Sequence, residues 1–429
     1  MASRTKPFDS FGPFVLFKKL ETDSLGDLWR AARIEGGQLG ATVALRRLSG
    51  GNREALVATA HAASEIVPQL AGTSFARDQV VGVVDHTPYV TWEYQGGRSL
   101  RFIIDRARGG NGTQPNPLPL DQAIVIIEKV ALSLATTADL RDGSGQRLWH
   151  GALLPQFVWI SDDGEIRVAG QLLGAGIMAS LADQKVYGEV ARYFPPEART
   201  VTQPRNTDVY SLGALLFLLV TGQEPPDAAT ASAFVPAVRA AKTMTGTAVP
   251  DDIRVILDKS FNLDPSMRYQ SIGDMRQAIS ALAHGGKYSA STFNLAFYLN
   301  TLLKKEMETE ATEREKESKL NLAPYLEAPK PVPAPVAAAP IAAAAPLAMH
   351  HEAAEHQAKS KAPLAIAAAV AVAALGAGGW YMWQKRGAQP APSTVNAQVL
   401  PTAPAQKPVV LSAPIVVGGS TDTAAPAAT

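Results

Sequence analysis

The sequence predicts an α+β fold, with strands at its start and helices after them, and three stretches carry that expectation. Residues 14–48 alternate apolar and polar side chains in the manner of strands, punctuated by Pro and Gly. Leu120 to Leu140 sets Ile124, Ile127, Val130 and Leu134 at helical spacing, the pattern of one long helix. Ser211 to Val220 is almost wholly apolar, which suits a helix buried through a core and is too short to cross a bilayer.

The remaining elements follow in order. Residues 53–67 are alanine-rich and helical, and Asp139 to Arg147 reads as a polar insertion. Past residue 290 the character changes. Over residues 291–320, Phe293, Leu295, Phe297, Leu299 and Leu302 give an apolar start to a charged amphipathic helix. The dense charged run from Lys304 to Lys319 follows, with Glu306/Glu310 and Glu313/Glu317 at helical spacing. Two readings of that run stand side by side: a solvated helix, or a helical contact with a partner or with the preceding domain. Residues 321–361 are an Ala/Pro-rich linker that cannot bury a core. Residues 362–383 carry about 20 uncharged Ala, Val, Ile, Leu and Gly positions, enough to span a bilayer. They end on Trp380-Tyr381-Met382-Trp383, aromatics suited to a membrane interface. Residues 384–429 form a low-complexity tail, expected to be disordered.

Composition bounds the function. At 429 residues the chain is expected to hold more than one domain. A formal charge of +1, with no sustained basic stripe, predicts no nucleic-acid footprint. With no cysteine there are neither disulfides nor thiolate metal sites. Met1 to Ser10 shows no apolar run behind Arg4 and Lys6, so no signal peptide is expected. The histidines show no ligand spacing, and no metal site is expected.

Six blocks then recur in a recognisable order. Val43-Ala44-Leu45-Arg46 stands first, followed by Tyr89-Val90-Thr91-Trp92-Glu93-Tyr94 with Gly97-Arg98-Ser99-Leu100. Next comes His150-Gly151-Ala152-Leu153-Leu154-Pro155-Gln156-Phe157. Tyr193-Phe194-Pro195-Pro196-Glu197, Asp208-Val209-Tyr210-Ser211-Leu212-Gly213 and Asp264-Pro265-Ser266-Met267-Arg268 complete the set. Over residues 11–283 this order resembles the Hanks-type serine/threonine protein kinases of bacteria, most strongly the membrane-anchored ones. The blocks match V-A-I-K, the strand and hinge, H-R-D-x-K-P-x-N, Y-x-A-P-E, D-V-Y-S-L-G and D-P-x-x-R. The resemblance implies a bilobal protein-kinase-like fold.

The resemblance also implies which parts are kept and which are lost. Glu197 and Arg268 are expected to form the ion pair of the large lobe, Asp208 to hold the backbone of the catalytic loop, and His150 to pack. At the catalytic positions Ala152 stands for the Asp that takes the substrate proton, Leu154 for the Lys, Phe157 for the metal-binding Asn and Gly170 for the D-F-G Asp. In the glycine-rich loop, Glu21 and Asp23 replace two glycines and only Gly26 remains. Such carboxylates repel phosphates. The nucleotide-site remnants are Gly26, Ala44, Arg46, Trp92, Glu93 and Trp159. Arg46 replaces the strand Lys, and Glu54 and Glu65 are candidate partners for it, each with an alternative as a solvated surface carboxylate. Trp92 and Trp159, at the gatekeeper and floor of the adenine site, either fill that site with Phe157 or turn into ordinary core.

These readings set the expectation of a pseudokinase: no enzyme, no cofactor, and ATP binding weak or absent. The chain is then a protein-binding or scaffolding module, anchored by one helix in the inner membrane with its kinase-like domain in the cytoplasm. The alternatives are a divergent serine/threonine kinase with residual ATP binding or transfer, and a structural anchor of the cell envelope.

Overall fold

Apolar residues in the first strands lie on both faces of the sheet they build. In the computed structural model Phe14, Val15, Leu16 and Phe17 are all buried, two on each face. The structure describes residues 6–326 except 71–74, 144, 146, 200–206 and 229. The expected membrane segment 362–383, the tail 384–429 and most of the linker 321–361 lie outside the described residues. Among the described residues no helix is long and apolar enough to cross a membrane.

The smaller lobe is a six-stranded antiparallel sheet. Its strands are β1 (Asp9–Phe11), β2 (Phe14–Asp23), β3 (Gly26–Glu35), β4 (Gln38–Leu48), β5 (Val80–Val84) and β6 (Thr87–Glu93), in spatial order β1-β2-β3-β4-β6-β5. Helix α1 (Arg53–Ile66) begins at Asn52, whose side chain accepts from the Ala55 N–H and so satisfies one of its free amides. Register sets Ala44 opposite Trp92 and Arg46 opposite Val90.

The larger lobe opens with β7 (Arg98–Ser99), which joins β8 (Val158–Ile160) and β9 (Ile166–Val168) in a three-stranded sheet. Around it pack α2 (Leu100–Ala107), α3 (Leu120–Asp139), α4 (Gly174–Ala179), α5 (Gln184–Val190), α6 (Thr207–Thr221), α7 (Ala231–Ala240), α8 (Asp251–Ser260) and α9 (Ile272–His284). Every residue of α6 is buried, as its apolar run requires. Gly213 permits the close approach of α8, because a Cβ there would lie 2.4 Å from Ser260 Oγ. Strands gathered in one lobe and helices in the other make the bilobal α+β, kinase-like fold expected from the sequence.

Residues 291–320 depart from the reading of one amphipathic helix. They form α10 (Thr292–Leu302), which buries Leu295, Tyr298 and Leu299, and α11 (Lys304–Ser318). The solvated reading of α11 fails: Glu310 and Glu317 are buried and paired with arginines of the preceding domain. Helix period brings residues 310, 313 and 317 to one side, so the charged face is the packed one. The spacer also starts later than residue 321. A last turn, α12 (Ala323–Leu326), places Tyr325 with Leu320 against Val15, Phe17 and Ala32 of the small-lobe sheet.

Candidate functional site

The site lies where the β2–β3 turn, β4 and β6 face the loop that runs from His150 to Phe157. Arg46, on β4, is fully buried. Its guanidinium donates to Asp23 Oδ2 at 2.5 Å and lies 4.0 Å from Glu21 Oε2. Glu54 and Glu65 are exposed, so the partner of Arg46 comes from the turn and not from α1. Asp23 does more than pair. Its other oxygen accepts from the Leu25 N–H at 2.9 Å and the Gly26 N–H at 3.2 Å. Two backbone amides and a guanidinium thus converge on one anion, the donor set a phosphate would take, and the chain supplies that anion itself. Gly26 is required by the turn: its φ is +140° and a Cβ would meet the Arg47 carbonyl oxygen at 2.1 Å.

Glu21 crosses between the lobes. It accepts from Ser99 Oγ at 2.6 Å and from the Ser99 N–H at 3.3 Å, at the start of α2. Burial pushes its carboxyl above the ordinary range, against the opposing pull of Arg46 and the Ser99 donors. A carboxyl raised by folding contributes stability that is present below its ordinary value and is lost as pH rises through its folded value. Glu21→Gln keeps the hydrogen-bonding shape of the protonated form. It is therefore expected to melt higher than the unaltered chain at pH 7, with the gain vanishing near and below pH 4.5. Melting curves at both pH values check this; an equal gain at both rules out ionisation as the cause.

The positions of the resemblance's metal ligands hold each other instead. Phe157 is buried and lies under Arg46, its ring 5.6 Å from the guanidinium carbon. Gly170 has φ +79°, and a Cβ on it would come 2.7 Å from the Phe157 ring. The Gly170 N–H donates to Gln79, whose amide donates in turn to Gln171. Ala152 and Leu154 are fully buried. Trp92 and Trp159 pack edge to face, with centroids 5.7 Å apart, and Tyr94 lies against Trp159. Trp159 Nε1 donates to the Gly96 carbonyl, and the Glu93 carboxylate accepts from Gln95. Both indoles are buried in the main core, packed on each other, with Trp92 opposite Ala44 in strand register.

Asp208 accepts from the His150 and Gly151 amides, both at 2.9 Å, and so fixes the loop. The buried His150 ring donates from Nε2 to the Ala169 carbonyl and accepts at Nδ1 from the Ala152 N–H, and burial lowers its pKa, so it is neutral packing. Arg268 donates to both Glu197 oxygens, at 2.5 and 3.1 Å. The sequence reading missed the roles of Asp23 and Glu21 as internal partners. The signal lay in their charge opposite the one basic residue of V-A-L-R.

No protein-family model matches the chain. PrkC of Bacillus subtilis, named a serine/threonine-protein kinase, is 24% identical over 221 residues, covering 50% of this chain and 32% of PrkC. PknL of Mycobacterium tuberculosis, named likewise, is 31% identical over 141 residues, 32% of each chain. A protein of Clostridium perfringens named as a probable serine/threonine-protein kinase is 28% identical over 212 residues, 46% of this chain and 28% of its own. The chain spans about a third of the length of these curated relatives. Among solved structures, a mutant of the PknI kinase domain of Mycobacterium tuberculosis aligns over 66% of this chain and 100% of that one, at 20% identity and a TM-score of 0.46. The names of the relatives overturn the expectation that this chain is not an enzyme: the proteins it matches are named as kinases. The chain carries a protein-kinase-like domain similar to those of bacterial serine/threonine kinases.

Proposed function

We propose that this chain is a divergent serine/threonine protein-kinase-like signalling protein whose nucleotide site is occupied by its own side chain. One observation carries the reading: the Asp23 carboxylate sits on the Leu25 and Gly26 amides and on Arg46. ATP has to displace a tethered anion to reach those donors, which makes its binding weak. The packed indoles of Trp92 and Trp159 add a second barrier at the adenine end.

The test is Asp23→Gly, which restores the glycine of the resemblance and frees the three donors. The variant without ligand is expected to melt lower, because Arg46 loses its partner. Millimolar Mg-ATP should then raise its melting point by several degrees, since a ligand at 100 times its Kd adds about 2.7 kcal/mol. The unaltered chain should move by less than one degree. A large shift in the unaltered chain sinks the self-occupied site. No shift in a folded Asp23→Gly protein removes the nucleotide altogether.

That second outcome leaves the protein-docking reading, which a different observation favours. Glu197, Arg268 and Asp208 preserve the shape of the large lobe through contacts that involve no nucleotide. A domain kept in shape and tethered by residues 362–383 to a membrane is a platform for protein partners at the inner membrane, on its cytoplasmic side. Co-purification of a partner that survives Asp23→Gly supports this reading; loss of the partner with that change ties docking to the nucleotide site.

A further inference from the structure

Helix α11 has few apolar residues to bury, and yet one face of it is buried by charge. Glu310 accepts from Tyr94 Oη at 2.7 Å and from Arg98 at 2.8 Å, and lies 3.6 Å from Arg30. Glu317 takes the Arg30 guanidinium at 2.6 Å, and Glu313 takes both Arg30 and Lys18, at 2.8 and 2.5 Å. These partners come from different lobes. Lys18 and Arg30 lie on β2 and β3 of the small lobe, Arg98 on β7 of the large one, and Tyr94 on the segment between. Glu306 pairs with Arg106 of α2. The ends of the segment are divided in the same way. The preceding helix is tied to the large lobe, where Tyr298 Oη donates to the Asn116 carbonyl at 2.7 Å, whereas Tyr325 bonds Phe8 and packs on the small-lobe sheet.

We propose that residues 304–326 are a detachable strut that fixes how far the two lobes close on each other, and that undocking it opens the cleft. A 15-residue helix is about 22 Å long and stiff, so fixing each end on a different lobe fixes their separation. The same helix is marginal by itself in water, so its order and its docking form one equilibrium. The contacts of α11 are mostly ion pairs and hydrogen bonds, with apolar packing confined to Met307 and to Leu320 and Tyr325 at the small-lobe end, an interface that separates with little core exposed. The chain continues from the small-lobe end at residue 327, so a pull or a binding event there bears first on Tyr325 and Glu317.

The absence of cysteine makes the test direct in the full-length chain. Ser24 lies in the β2–β3 turn, is 5% exposed, and its N–H donates to Glu189 of α5 across the lobes at 2.8 Å. Its hydroxyl has no hydrogen-bond partner, so Ser24→Cys introduces a thiol with little disturbance. Ala214→Cys places a second reporter in α6, at the centre of the large lobe. Each is combined separately with Glu310→Ala/Glu317→Ala and labelled with a thiol reagent. The expected result is labelling at position 24 faster by tenfold or more, with labelling at 214 unchanged. If both thiols react faster together, the helix is ordinary core and the strut is wrong. If neither changes, the acids do not hold the lobes and the proposal fails equally. The milder pair Glu310→Gln/Glu317→Gln, read in the same way, applies if the alanine variant does not fold.

Discussion

Arg268→Ala is expected to cost about 3–4 kcal/mol of stability, most of what a domain at the low end of the usual range has. Arg268 is fully buried, and its guanidinium bridges Glu197, the Asn262 carbonyl at 2.6 Å and the face of Tyr210 at 5.1 Å. Removing one partner of a buried pair costs about 3–5 kcal/mol, because the other charge stays behind. Glu197 keeps 22% of its side-chain surface in water, which places the cost toward the lower end of that range. A typical domain has only about 5–15 kcal/mol to lose. Urea unfolding with an unchanged slope and a lower midpoint checks this. A loss under about 1 kcal/mol means that Glu197 is solvated once its partner goes.

Gly170→Asp, which writes the metal-binding carboxylate of the resemblance back into the chain, is expected to destabilise it by about 2–5 kcal/mol. Two costs add. A residue with a Cβ strains the φ of +79°, worth about 1–2 kcal/mol, and the new atom lies 2.7 Å from the Phe157 ring. Overpacking of that kind costs about 1–3 kcal/mol more. The second cost belongs to the pair, so Phe157→Asn relieves it. In a double-mutant cycle the two changes should couple favourably, by about 1–2 kcal/mol, although Phe157→Asn alone is destabilising through the cavity it leaves. Strict additivity shows that the glycine answers to its backbone angle and not to the ring.

Much of this molecule was legible in its order of residues. The strand alternation of 14–48 and the apolar run of 211–220 gave the two lobes, because period and length follow from local geometry. Glu197, Arg268, Asp208 and His150 were readable too, since each sits in a block whose neighbours carry the same resemblance. Arg46 was not: the search for its partner went to Glu54 and Glu65, nearby in sequence on a helix, where the structure leaves both exposed. Asp23 lies 23 positions away along a hairpin, and only strand register brings the two together.

The charged run of 304–319 marks the boundary most clearly. By itself the sequence determined that it is helical and that its acids recur on one side. Whether that side faces water or protein depends on what stands opposite it. Arg30 and Arg98 are 287 and 212 positions away from their partners Glu317 and Glu310. A charge is cheap on a surface and costly in a core unless it is paired. Pairing across such distances is set by the packing of two lobes, which only the tertiary structure decided.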